Sequence, residues 1–168
     1  MSAMPSLSVL GAAAGELLKR RGETIAVAES SAGGLINAAL VAVPGASAYY
    51  IGGNLIYTPK SRAVFGIAKD EMSGMRSASE AFAGLLARRV RENMGTTWGV
   101  GETGASGPSG NRYGDAAGHA CIAVSGPVNA VITVETGSMD REANMWEFAR
   151  RALALLEDCL RKGASPSR

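Results

Sequence analysis

Short apolar runs alternate along the chain with longer stretches in which apolar positions recur every three to four residues, the two periods of strand and helix. Residues 24–29, "TIAVAE", follow the turn at Gly22 and predict a short buried strand. "GGLINAALVAV" (33–43) predicts a helix closed by Pro44 and Gly45. "GGNLIYT" (52–58) is strand-like, and "PKSRAVFG" follows it with proline at a first helical position. In "SASEAFAGLLARRVRENMG", Ala78, Ala81, Phe82, Leu85, Leu86 and Val90 share one helical face, opened by a Ser77-x-x-Glu80 capping box. "HACIAVSG" and "NAVITVET" are strand runs joined through Ser125-Gly126-Pro127 and predict a hairpin. The last periodic segment, 141–162, carries Met145, Ala149, Ala152, Leu156 and Cys159 along one stripe. The opening "MSAMPSLSVLGAAAGELLKRRG" lacks a basic region ahead of its apolar residues, so it reads as a first helix and not as a signal peptide.

Helices alternating with short apolar strands predict an α/β fold in three layers, helices on both faces of a central sheet. The terminal hairpin makes that sheet mixed. No internal repeat, linker or compositional break is visible. One domain over 1–168 is expected, with a disordered tail from about residue 163.

Composition narrows the function classes. The chain is 46% hydrophobic and 19% charged, proportions of an ordinary globular protein able to bury a core. A net charge of +2 and the short basic runs Lys19-Arg20-Arg21 and Arg88-Arg89, both on helical faces, give no nucleic-acid footprint. Cys121 and Cys159 lie far apart, which suits a reducing cytosol and argues against a disulfide framework. With one histidine there is no metal-ligand spacing, so neither metal nor cofactor is predicted. No apolar run is long enough to span a bilayer. The expectation is a soluble cytoplasmic protein acting on a small molecule, with a homo-oligomer left open.

Three loops, each near the end of a predicted strand, are where an open α/β sheet places its ligands. "ESSAGG" (29–34) runs from strand into helix, and Ser30, Ser31, Gly33 and Gly34 would let backbone N–H groups approach an anion. Equally, the glycines would ease helix–strand packing and a serine would cap the helix. "TGASGPSGN" (103–111) fits neither the Walker pattern nor G-x-G-x-x-G, and alone it reads as a turn-rich loop. "PGASAYYIGGNLIYTPKSR" (44–62) gathers a serine, three tyrosines and two bases within one segment. His119 and Cys121 share one strand face, but apolar neighbours make core positions the better reading.

Taken together, "AESSAGGL", "PGASAYYIGGNLIYTPKSR" and the "SGP" of "TGASGPSG" resemble in order and spacing the C-terminal domain of the CinA family, from about residue 7 to 160. That family's pattern reads E-S-C-T-G-G, then G-x-S, then G-G-x-x-x-Y-S-N-x-x-K, then S/T-G-I-A-G-P. The length is similar to that of the stand-alone form, without the molybdopterin-binding-like domain of longer relatives. The resemblance implies a metal-free amidase that converts the carboxamide of nicotinamide mononucleotide (NMN) to the acid and ammonia, in pyridine nucleotide salvage. Position by position it implies Ser47 as nucleophile, with Tyr57 sharing the site. It puts Glu29, Ser30, Gly33 and Gly34 on one ligand loop, and Thr103, Gly104, Gly107 and Pro108 on another. Asp140-Arg141 matches a G-D-R motif whose arginine would pair with the nucleotide phosphate.

Several positions depart from the pattern. The family's C-T is Ser31-Ala32 here, its I-A-G-P is Ala105-Ser106-Gly107-Pro108, and its P-V-G before the penultimate strand is Ala116-Ala117-Gly118. Counting from Tyr57, the catalytic lysine falls on Arg62, and arginine does not deprotonate at neutral pH. The segment from there to Gly66 is about one residue shorter than in the family, which leaves two arrangements open. Either the helix re-registers and Lys60 serves as the base, or Arg62 holds the site and the protein binds without fast turnover. The alternative of another class is therefore a catalytically silent nucleotide-binding module with a regulatory or assembly role.

Overall fold

The structure, a computed structural model, describes residues 3–163. Most of the tail expected to be disordered, residues 164–168, lies outside the described residues. Five strands form one mixed sheet in the order β2-β1-β3-β4-β5. They are β1 (Ile25–Glu29), β2 (Tyr50–Leu55), β3 (Trp98–Ala105), β4 (His119–Ser125) and β5 (Ala130–Glu135). β1 pairs in parallel with both β2 and β3, whereas β3–β4 and β4–β5 are antiparallel, β4–β5 being the expected hairpin.

Helices cover both faces, giving the three layers expected. α1 (Leu7–Arg21), α2 (Leu35–Val41) and α5 (Arg141–Lys162) pack on one face around Leu18, Ile25, Val27, Ile36, Trp98, Phe148 and Leu156. α3 (Pro59–Phe65) and α4 (Glu80–Met94) cover the other around Ala26, Ala28, Phe65, Phe82, Leu86 and Val90. The split of Ile25 and Val27 from Ala26 and Ala28 is the period-two alternation of a strand whose faces are both buried. No helix among the described residues is long and apolar enough to cross a membrane.

Two local expectations change. The cap of α4 is Ser79, whose hydroxyl accepts from the Phe82 N–H. A box from Ser77 is ruled out because Ala78 takes a left-handed conformation, φ 56°, between them. The buried face of α4 is also turned toward Ala83 and Ala87, leaving Ala81 exposed. The turn follows from β3, where Cβ atoms on Gly99 and Gly101 would stand 2.2 Å from the carbonyl oxygens of Ala87 and Ala83 respectively. Only glycine lets the helix backbone lie so close to the strand.

Candidate functional site

Because β1, β2 and β3 run parallel, their carboxyl ends open on one edge of the sheet. A cavity of about 440 Å³ lies there, lined by Ser30 after β1, by Ile56–Pro59 after β2, and by Thr103 and Gly104 of β3. Arg62 of α3, Ser77 and Ala78 before α4, and residues 111–113 complete the wall.

Two buried carboxylates hold the first loop. Glu29 ends β1 and accepts from the N–H groups of Gly34 (2.7 Å), Ile36 (3.3 Å) and Asn37 (2.8 Å) and from Asn37 Nδ2 (2.7 Å). Glu102 of β3 accepts from the Ser30 and Ala32 N–H groups, both at 2.9 Å, and from the Ser31 hydroxyl. Gly33 (φ 68°) and Gly34 (φ 99°) supply the left-handed turn between the two carboxylates. Within this loop the N–H groups of Ser30, Ala32 and Gly34 are therefore spent on the protein's own carboxylates, and that of Gly33 on the Ser30 carbonyl. Of the residues expected on the first ligand loop, Glu29, Ser31, Gly33 and Gly34 do not line the cavity. Ser30 does line it.

Sequence reasoning missed Glu102. Its signal was a lone acid among glycines in "WGVGETG", on a strand whose neighbours are buried on both sides. Burial pushes its pKa up to about 7, aided by the Glu29 charge and opposed by bonds from Ser31, Ala32 and Ser30. A protonated Glu102 keeps its contacts because Ser31 can accept as readily as donate. The folded state binds this proton more tightly than the unfolded chain, so the associated stability is full below about pH 4.5 and is lost as pH rises to about 7. Glu102→Gln, which mimics the protonated form, should flatten this part of the stability–pH curve in thermal melts. Glu102→Ala should orphan three donors, two of them buried, and cost about 3 kcal/mol or more.

Across the cavity, Ala78 is pinned from both sides. Its N–H donates to Thr103 Oγ1 at 3.1 Å and its carbonyl accepts from His119 Nε2 at 2.8 Å. His119 Nδ1 meets the Glu135 carboxylate, so both ring nitrogens face acceptors. Burial pulls the His119 pKa down, but Glu135, the Ala78 carbonyl and Asp115 together leave it raised. The stability it contributes is present below its unfolded value of about 6.5 and lost as pH rises through the higher folded value. His119→Gln should show a smaller loss in melting temperature between pH 6 and pH 8.5 than the parent protein. Cys121 lies 3.7 Å from His119 Nε2, but it is buried and its thiol pKa is pushed up by that burial, the opposite of an activated nucleophile.

The remaining predicted residues divide. Tyr57 lines the cavity, and its hydroxyl accepts from Arg141 Nη2 at 2.8 Å, while Arg141 Nη1 donates to the Gly107 carbonyl at 2.6 Å. Arg141 thus ties Tyr57 to the 103–111 loop, and neither it nor Gly107 belongs to the cavity wall. Arg62 faces the cavity, with Nη1 3.3 Å from Ser77 Oγ and the guanidinium 5.8 Å from the Phe82 ring centroid. Lys60 is exposed on the far side of α3, beside Asn54 and Val64. Positions 60 and 62, two apart on a helix, are separated by about 200° around its axis, so one helix cannot present both inward. α3 starts in register, with Thr58 as its cap and Ser61 completing a capping box, so no unwinding brings Lys60 round. Ser47 is exposed in a 3-10 turn, Ala46–Ala48, before β2. Tyr57 lies beyond the other end of that strand, whose six residues alone span about 20 Å. Within one chain, Ser47 and Tyr57 are therefore not brought together.

The model of the CinA C-terminal domain matches residues 8–160. The chain belongs to the CinA C-terminal domain family. A CinA-like protein of Myxococcus xanthus is 41% identical over 113 residues, 67% of this chain and 27% of that protein. One from Anaeromyxobacter is 36% identical over 145 residues, 86% of this chain and 36% of the relative. The chain thus spans about a quarter to a third of the curated relatives it matches. Its fold is that of a CinA superfamily protein from Klebsiella pneumoniae (TM-score 0.86, 24% identity, 94% of this chain and 99% of the other). A competence/damage inducible protein from Agrobacterium tumefaciens gives 0.83 at 24% identity, covering 95% and 99%. In this chain Ser31 bonds to Glu102 and Arg62 lines the cavity.

Proposed function

We propose that this CinA-family chain binds a small anionic carboxamide nucleotide, NMN being the ligand the resemblance implies, and hydrolyses the carboxamide slowly. The observation that carries the reading is the placement of Arg62 in the cavity wall with Lys60 on the outer side of α3. Amide hydrolysis by a serine needs a neighbouring group to take the hydroxyl proton and N–H donors for the oxyanion. Arginine supplies positive charge and a fork of donors but no base. The same property favours retention of a phosphate. Among the described residues, the cavity wall holds no lysine, histidine or carboxylate to replace it.

Ser47 is the nucleophile that the resemblance implies, whereas Ser30 is the serine of the first loop that lines the cavity. Titration calorimetry with NMN, paired with ammonia release from the same preparation, tests the reading. Binding is expected, with ammonia release far below the 1–1,000 per second common among enzymes. Rapid turnover would refute the silent base, and absence of binding would refute the ligand class. Any residual release that Ser30→Ala abolishes and Ser47→Ala leaves intact assigns the hydroxyl to Ser30; the reverse pattern assigns it to Ser47.

A further inference from the structure

The cavity does not end at Arg62. A second, wider depression of about 760 Å³ continues from it over residues 69–75, and the two share Arg62, Ser77, Arg112 and Tyr113. These four residues form a waist between an inner and an outer chamber.

Charge at the waist is uneven in an informative way. Arg76, nearby, is neutralised by Asp115 at 2.6 Å, yet neither Arg62 nor Arg112 forms an ion pair with a carboxylate among the described residues. The Tyr113 ring lies against two guanidinium groups, Arg112 at 5.0 Å and Arg76 at 5.1 Å from its centroid, and Arg112 also donates to its hydroxyl. The aromatic ring thus holds Arg112 at the waist while leaving most of its donors unused. Beyond the waist the outer chamber offers the thioethers of Met72 and Met75, a further cation in Lys69, and one carboxylate, Asp70.

Both chambers fall within the range of small-molecule sites, and a mononucleotide suits the inner one alone. Its phosphate would stop at the waist, leaving Lys69, Asp70 and the methionines without a role. We propose that the ligand has two parts: a pyrophosphate-linked dinucleotide with its carboxamide ring inside, its phosphates between Arg62 and Arg112, and its second nucleoside over Met72 and Met75. Two guanidinium groups match two linked phosphates, each able to take paired N–H donors. Polarizable thioethers receive the face of a heteroaromatic base, and Asp70 can accept from a ribose hydroxyl. This proposal rests on the proposed carboxamide-nucleotide reading and extends it from mononucleotide to dinucleotide.

Calorimetry on the full chain at low salt, with NMN and the oxidised nicotinamide adenine dinucleotide as probes, tests it. The dinucleotide is expected to bind at least about tenfold more tightly than NMN. Lys69→Ala and Met72→Ala, each confirmed as folded by its melting curve, should bring dinucleotide affinity down toward that of NMN. Equal affinities in the parent protein, or a preference that survives both substitutions, overturn the two-chamber ligand while the NMN reading stands. If neither probe binds, the carboxamide-nucleotide reading falls and this extension with it.

Discussion

Gly101→Val is expected to lower the melting temperature by about 10 °C or to prevent folding. A Cβ at Gly101 would stand 2.2 Å from the Ala83 carbonyl oxygen, 2.6 Å from the Ala87 nitrogen and 3.0 Å from Leu86 Cβ. Two of these are backbone atoms of α4, so no rotamer change relieves the contact and the whole helix must lift. α4 covers β3 and β1 and places Phe82, Leu86 and Val90 in one of the two cores, so lifting it opens that core to water. Overpacking commonly costs 1–3 kcal/mol where side chains can yield, so about 3 kcal/mol is a floor here. At about 2–4 °C per kcal/mol for a chain of this size, the shift reaches about 10 °C. Gly22→Ala is the control. A Cβ there meets nothing within 4 Å, so its cost comes only from the left-handed φ of 63°. A Gly101→Val protein that melts like the parent would mean that α4 does not lie this close to β3.

The same glycines explain what the sequence showed and concealed. β1, β4 and β5 were legible because each is an unbroken apolar or alternating run, and α5 because its periodicity extends over 22 residues. β3 was not, because "WGVGETGA" trades side chains for close backbone approach: Gly99 and Gly101 admit α4, and Gly104 admits β4, with the His119 carbonyl oxygen 2.3 Å from a Cβ there. The buried face of α4 went astray for the same reason, since what lies beneath Ala83 and Ala87 is glycine and carries no apolar signal. In the site, Tyr57 and Arg62 were legible because they follow the carboxyl end of β2, and Thr103 because it lies near that of β3, which faces the same way. The relation of Ser47 to Tyr57 was not: ten residues look local in a sequence, but here they contain the whole of β2. Glu102 escaped because a buried carboxylate is expected only beside a cation, and its partners are backbone N–H groups and a hydroxyl, which no side-chain pattern announces.

Arg62→Lys is expected to raise ammonia release from NMN at least a hundredfold over the parent protein. Arg62 lies inside the cavity with Ser30, Tyr57, Ser77 and Thr103, in a helix whose cap fixes its register, so a lysine there projects into the same space. The ammonium would take over the polar contact with Ser77 Oγ, now 3.3 Å from Arg62 Nη1, although lysine is shorter and reaches it less directly. The chemical change is large even though the charge is conserved. A guanidinium stays protonated, whereas a lysine in the cavity wall that also holds Arg112 is pushed toward neutrality by like charge and can accept a proton. A general base contributes about 100- to 10,000-fold, and that range sets the expected gain. The gain should rise with pH as the new amine deprotonates, a profile that altered packing alone would not produce. Lys60→Ala should leave NMN turnover at the parent level, because Lys60 lines only the groove on the outer side of α3. Loss of activity in Lys60→Ala, with no gain in Arg62→Lys, would return the base to Lys60 and refute this placement. If neither substitution changes ammonia release, then no cation on α3 acts in the chemistry, and a base would have to come from outside this cavity.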